Sequence, residues 1–226
     1  MGQKEYYLDN DKATADIREA FKKHVVKMFQ LFGFSKSAAT KKMQNVMKVE
    51  TALAKVSKSR TELRDPEANY NKMTLQEFEA KYPNLPLVKV MNAQGVDTKY
   101  LQEMVVGQPA FLEGANALVA GIKPAEYRDV MEWGFITGAA NYLSDATVAE
   151  SFDFNGRVRS GRKENHPLWK RSTGQVERVM GEALGKIYSE KYFPEAAKQR
   201  MITLIKNLQI ALGERIAAQD WMDDST

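Results

Sequence analysis

The sequence predicts an all-α protein, an irregular multi-helix domain with long C-terminal helices and at most a minor strand. Three observations carry that expectation. Apolar residues recur at three- and four-residue spacing along most of the chain, which is the period of a helix face. A capping box and prolines at first-turn positions divide the chain into segments of helical length. Strand-like residues gather in one short run only, Glu103 to Val106.

The elements follow in order. Ile17, Phe21, Val25, Met28, Phe29 and Phe32 place one stripe on a helix from about Asp11 to Phe32, closed by Gly33. A second helix follows directly, capped by Ser35 or Ser37. Met43, Val46, Met47, Leu53 and Val56 form its apolar face before the pattern breaks over Ser57 to Asp65. Asp65-Pro66 imposes an extended or turn conformation, because the proline ring clashes with a helical residue before it. Thr74-Leu-Gln-Glu77 is a capping box that opens a short helix from Leu75 to about Lys81, stopped by Pro83 and Pro86. From Val88 to Gly107 the pieces are short, with Gly95 a helix C-cap. Pro109 and Pro124 stand at first helical positions and predict helices of about 109–120 and 124–144.

The stretch from Ala146 to Asn165 is mixed and ends in the basic run Gly156-Arg-Val-Arg-Ser-Gly-Arg-Lys163, which reads as a mobile loop. Two long helices close the chain, Pro167 to Tyr192 and Pro194 to about Gln219, hinged at Phe193-Pro194. The second carries Met201, Leu204, Ile205, Leu208, Leu212 and Ile216 on one face. No self-similarity of repeat length is present, which argues against a solenoid.

Composition narrows the function classes. With 43% hydrophobic and 27% charged residues in 226, the chain is that of an ordinary folded protein, not a disordered or fibrous one. The 33 Lys+Arg against 29 Asp+Glu leave a net +4, too even to imply a nucleic-acid partner without a local patch. The absence of cysteine excludes a disulfide scaffold, a thiolate-ligated metal and a thiol nucleophile. The longest charge-free stretch, Trp133 to Ser144, is far shorter than the roughly 18–20 apolar residues of a membrane span. The opening MGQKEYYLDND has no apolar signal region, and Tyr6 stands where a myristoylation pattern needs Ser or Thr, so the chain as given carries no address.

Catalytic motifs are missing. There is no H-E-x-x-H, Glu-x-x-His pair, G-x-S-x-G, P-loop or dinucleotide fingerprint, so no catalytic residue and no metal ligand is assigned. His24 has no acid or histidine at i+3 or i+4 and reads as an ordinary, partly exposed side chain; His166, before a proline, reads as a loop or capping residue. Arg157 to Arg171 holds six basic residues against Glu164. It reads as a solvated loop beside a helix start with Trp169 packed inward, and is the sole support for a nucleic-acid-binding reading. Gly181 and Gly185, four apart, read as a close helix-packing site. Glu50 falls between Met47 and Leu53 on an inward stripe, where a lone carboxylate is costly, so a structural ion pair is expected. The partner expected is an arginine of the following loop, Arg64 in preference to Arg60, which makes Glu50 and Arg64 the predicted structural residues.

Several segments together carry a family resemblance: Asp65-Pro-Glu-Ala-Asn-Tyr-Asn-Lys-Met-Thr74, Tyr127 to Phe135 (YRDVMEWGF), Trp169-Lys-Arg171, Gly181-Glu-Ala-Leu-Gly-Lys-Ile-Tyr188, Lys191-Tyr-Phe-Pro194 and the closing Asp220-Trp-Met222. In this order, from Tyr6-Tyr7 to Met222, the chain resembles the neprilysin family of zinc endopeptidases, peptidase family M13. The resemblance implies a two-lobed enzyme in which a helical lobe closes over a zinc-bearing catalytic lobe. It covers the helical lobe only, so residues 1–226 are expected to be that lobe of a longer parent, a lid that restricts the parent's substrates to oligopeptides. The H-E-x-x-H, the third zinc-ligating Glu and the Asn-Ala-Tyr substrate-binding motif are absent here, so the chain alone is expected to be inactive, without cofactor, while the parent holds zinc. Its implied partners are the catalytic lobe and, in the parent, peptide substrates, with no nucleic acid and no membrane span. The lack of cysteine points to a bacterial-type member, and the resemblance implies an extracytoplasmic parent. The alternative is a stand-alone helical module that binds a peptide or protein.

Overall fold

The computed structural model describes residues 1–221; Met222, which closes the last of the resembling segments, lies outside them. The chain divides into two units, Met1–Asn165 and His166 onward.

In the first unit, α1 (Glu5–Leu8) precedes α2 (Lys12–Leu31), whose N-cap Asp11 accepts a hydrogen bond from the Thr14 amide at 3.0 Å. Gly33, at φ 89°, takes the left-handed conformation that turns the chain into α3 (Lys36–Val56). Of the two serines proposed as its cap, Ser35 fills the role, accepting from the Ala38 amide at 3.2 Å. Phe21, Val25, Met28 and Phe29 of α2 meet Ala39 and Val46 of α3 in the main core. The stripe read from the sequence is therefore the one that is buried.

The capping box forms as expected: the Thr74 hydroxyl accepts from the Glu77 amide, and the Glu77 carboxylate accepts from the Thr74 amide at 2.7 Å, opening α4 (Leu75–Lys81). Before it, β1 (Lys72–Thr74) pairs antiparallel with β2 (Glu103–Val105), Met73 opposite Met104. This small sheet, with Phe78, Tyr82 and Val106, makes a second, separate core. Between the strands lies α5 (Leu87–Ala93), too short for periodicity to reveal. The sequence reading also lacked α1 and β1.

Next come α6 (Pro109–Gly121) and α7 (Pro124–Ala139), each with proline in its first turn. Gly114 lets α6 approach α3, since a Cβ there would stand 2.7 Å from the Val56 methyls. α7 ends earlier than expected, in a 3-10 turn over Ala140–Tyr142, and lays Trp133 and Ile136 into the main core.

The stretch from Ala146 to Asn165 corrects the expectation of a mobile loop. It begins as α8 (Asp145–Phe152), capped by Ser144, and continues as a π-helix over Asp153–Val158. Its inward positions are Thr147, Val148, Ser151, Phe154 and Gly156. Small and polar side chains dominate that face, so no run of large apolar residues announced it. The wide π turn is held by packing: a Cβ on Gly156 would lie 2.2 Å from the Phe152 ring.

The second unit consists of α9 (Leu168–Tyr192), kinked at Met180, and α10 (Glu195–Ala217), separated by Phe193-Pro194 as expected. No residue of either helix is buried. Trp169, expected to pack inward, is 69% exposed. Space is open around Gly181 and Gly185, where a Cβ would meet nothing within 4 Å.

Candidate functional site

Three polar clusters interrupt the apolar interior of the first unit. The deepest centres on His24, which α2 presents between Phe21 and Met28 on its buried face. Its Nδ1 lies 2.8 Å from Glu150 Oε1 of α8, and its ring stacks on Phe154 at 4.9 Å and meets Trp133 edge-on at 5.7 Å. At 4% exposure it is a core residue, which corrects the partly exposed histidine read from the sequence. No local signal marked it, because the partner stands 126 residues away. Among the described residues no hydroxyl hydrogen-bonds to this imidazole, so the pair is a buried polar tie between α2 and α8 and lacks the parts of a nucleophile relay.

The second cluster ties α3 to α7. Lys42 Nζ lies 2.6 Å from both Asp129 Oδ1 and Glu132 Oε2, and the Asn45 amide donates to the other Asp129 oxygen at 2.7 Å. The ammonium also sits 4.5 Å from the centre of the Phe34 ring. Burial works to lower its pKa, but the hydrogen bonds to Asp129 and Glu132 outweigh it and hold the lysine above its ordinary value of 10.5. The sequence reading gave none of these residues a role, although Asp129 and Glu132 lie within the resembling segment Tyr127 to Phe135.

The third contains Glu50. Its side chain is 23% exposed, accepts a hydrogen bond from the Tyr7 hydroxyl and lies 3.2 Å from the Met1 nitrogen. Arg64 is not its partner. That arginine is exposed on a 3-10 turn over Glu62–Arg64, in a loop that satisfies itself: the Ser59 amide donates to Glu62 at 2.6 Å, and Asp65 accepts from the Glu67 and Ala68 amides. With α1 packed on α3, the carboxylate is met from upstream in the chain and not from the loop that follows its helix.

The second unit offers a different kind of surface. Met201, Leu204, Ile205, Leu208, Leu212 and Ile216 form the apolar face expected of α10, and each is between 44% and 61% exposed. On α9, Val176, Val179, Met180, Leu184, Ile187 and Tyr188 repeat at helical spacing and are exposed as well. Soluble monomers rarely leave apolar stripes of this length in water.

Comparison with known proteins is decisive for the family. The profile described as Peptidase family M13 matches residues 1–226. This chain belongs to peptidase family M13. It is 29% identical to the neutral endopeptidase of Lactobacillus helveticus over 224 residues, which is 98% of this chain and 33% of that protein. Human endothelin-converting enzyme 1 is 24% identical over 229 residues, 100% of this chain and 30% of the relative. Among solved structures, the zinc metalloprotease Zmp1 of Mycobacterium tuberculosis in complex with an inhibitor superposes with a TM-score of 0.86 at 31% identity, over 99% of this chain and 34% of that one. PepO from Lactobacillus rhamnosis shares the fold, with a TM-score of 0.80 at 19% identity over 98% of this chain and 35% of that one. The M13 chain described here thus spans about a third of the length of the relatives it matches.

Proposed function

We propose that residues 1–226 form the helical lobe of a neprilysin-like zinc endopeptidase, where the lobe closes over the catalytic lobe and limits the chamber to oligopeptides. The observation that carries this reading is the uncovered apolar face of α9 and α10. Burying Leu, Ile, Val and Met side chains is worth about 1.5–3 kcal/mol each, so a face of this size calls for a protein partner. A match to only a third of each relative makes the remainder of such a polypeptide the natural one.

Zinc is what the family implies, and the donors present do not fit it. His24 is committed to Glu150 within the core of the first unit, and His166 belongs to the second. Among the described residues no three His, Asp or Glu side chains converge to hold a metal. In this reading the metal, and the hydrolysis of peptides by a metal-activated water, belong to polypeptide beyond this stretch. No described helix is long and apolar enough to cross a membrane. An extracytoplasmic, bacterial-type parent is part of the proposal, by family likeness.

Three measurements test it. Sequencing the reading frame beyond Thr226 should reveal H-E-x-x-H; a stop codon there favours the stand-alone binding module. The purified chain, incubated with zinc and a quenched peptide, should show no chelator-sensitive turnover. Its sedimentation coefficient should rise over a hundredfold concentration range as uncovered faces associate, and a strictly monomeric chain counts against the covered face.

A further inference from the structure

A cleft of about 650 Å³ opens between α2, the start of α3 and the π-helix, within the size range of ligand sites. Its wall is apolar where Ala20, Val26, Met43, Phe154 and Val158 line it. Its rim is charged, and the charges do not cancel. Every acid on the rim already holds a partner: Glu19 has Lys22 at 2.6 Å, Glu150 has the His24 imidazole at 2.8 Å, and Asp153 has Arg157 at 2.7 Å. Lys23, Lys27 and Lys36 line the same cleft, and among the described residues their side chains enter no ion pair or hydrogen bond. The acids are spent and three ammonium groups are not.

We propose that this cleft binds a short acidic peptide segment, with an apolar side chain against Val26, Met43 and Phe154 and carboxylates at Lys23, Lys27 and Lys36. Charge complementarity selects the sign of the partner, and the apolar wall selects against a plain anion such as phosphate. Lys23 and Lys27 stand one helical turn apart, about 5–6 Å between Cβ atoms. Residues two apart in an extended peptide share a face and lie about 6.6–6.8 Å apart along the backbone, a spacing that long lysine side chains accommodate. The concave shape favours a chain that inserts a side chain over a flat lipid surface. This cleft is built from residues of the first unit alone, and the proposal stands whether or not the faces of α9 and α10 meet a catalytic lobe.

The test uses the 226-residue chain and a fluorescein-labelled peptide, Glu-Leu-Glu-Phe-Glu, read by fluorescence polarisation at low salt. Saturable binding is expected, weakened about tenfold or more by Lys23→Glu, Lys27→Glu or Lys36→Glu and strengthened by lowering salt. The analogues Gln-Leu-Gln-Phe-Gln and Glu-Ser-Glu-Ser-Glu should each bind about tenfold more weakly, since one lacks charge and the other the apolar anchor. Lys55→Glu, on α3 outside the cleft, should change affinity less than about twofold. Circular dichroism melts of all four variants confirm that each is folded; a variant that unfolds is replaced by the corresponding Lys→Gln. Three results overturn the proposal: no saturable binding, equal loss with Lys55→Glu, or tighter binding to phosphatidylglycerol vesicles than to the peptide through the same lysines.

Discussion

Lys42→Met is the perturbation that most directly probes how the first unit holds together. The substitution keeps an unbranched side chain of similar length beside the Phe29 and Phe34 rings, which lie 5.6 and 4.5 Å from the ammonium, and removes the charge that faces Asp129 and Glu132. The side chains of Lys42 and Asp129 are 14% and 12% exposed, so the loss leaves a carboxylate nearly out of water with, among the described residues, only the Asn45 amide as side-chain donor. Breaking a buried pair by removing one partner costs about 3–5 kcal/mol; the retained amide and residual solvent reduce this to about 2–4 kcal/mol here. For a protein of this size that corresponds to a fall in midpoint of about 4–16 °C. Thermal unfolding followed by far-UV circular dichroism measures it, with Lys12→Met as control. Lys12 also forms an ion pair, at 2.6 Å from Asp16, but the two side chains are 88% and 65% exposed, so both charges stay in water and its loss should be close to silent. Adding Asp129→Asn to Lys42→Met should restore part of the stability by removing the orphaned charge. Equal effects of Lys42→Met and Lys12→Met, or no recovery in the double variant, would refute the argument.

Other outcomes follow from the same structure. Gly156→Ala should destabilise the first unit by about 1–3 kcal/mol, because its Cβ meets the Phe152 ring, and Phe152→Ala in the same chain should relieve the clash; thermal melts check both. Arg64→Ala should leave stability within about 0.5 kcal/mol of the parent, whereas Tyr7→Phe and Glu50→Gln should be non-additive in a double-mutant cycle. The Lys42 contribution is fully present below pH 10.5 and lost as pH rises through its raised native value, so the alkaline limb of the stability curve should flatten in Lys42→Met. Glu77 has the opposite sign. Hydrogen bonds from Thr74 hold its carboxyl below the usual 4.5, so its cap stabilises α4 above that pH and is lost as pH falls below it, a loss absent from Glu77→Ala in acid titrations followed by circular dichroism.

Signals confined to a few neighbouring residues were legible in the sequence. The Thr74–Glu77 box, the prolines at 109 and 124, and Gly33 and Gly95 mark their helices because a cap is a contact between residues three or four apart or a demand on one residue's own backbone. The stripe of α2 is legible for the same reason, since periodicity names the face that leaves water. The resemblance that led to family M13 is likewise a property of order along the chain. What periodicity cannot name is what meets that face. His24 carries no mark of burial until α8 brings Glu150 and the π-helix brings Phe154. Glu50 was placed on an inward stripe beside an arginine of the next loop; its side chain is 23% exposed and its hydroxyl donor arrives on α1, because which element packs beside α3 is settled by the whole core. Local chemistry determined where helices start, stop and face; tertiary structure decided which charges meet, because an ion pair depends on distance in space and sequence records only distance along the chain.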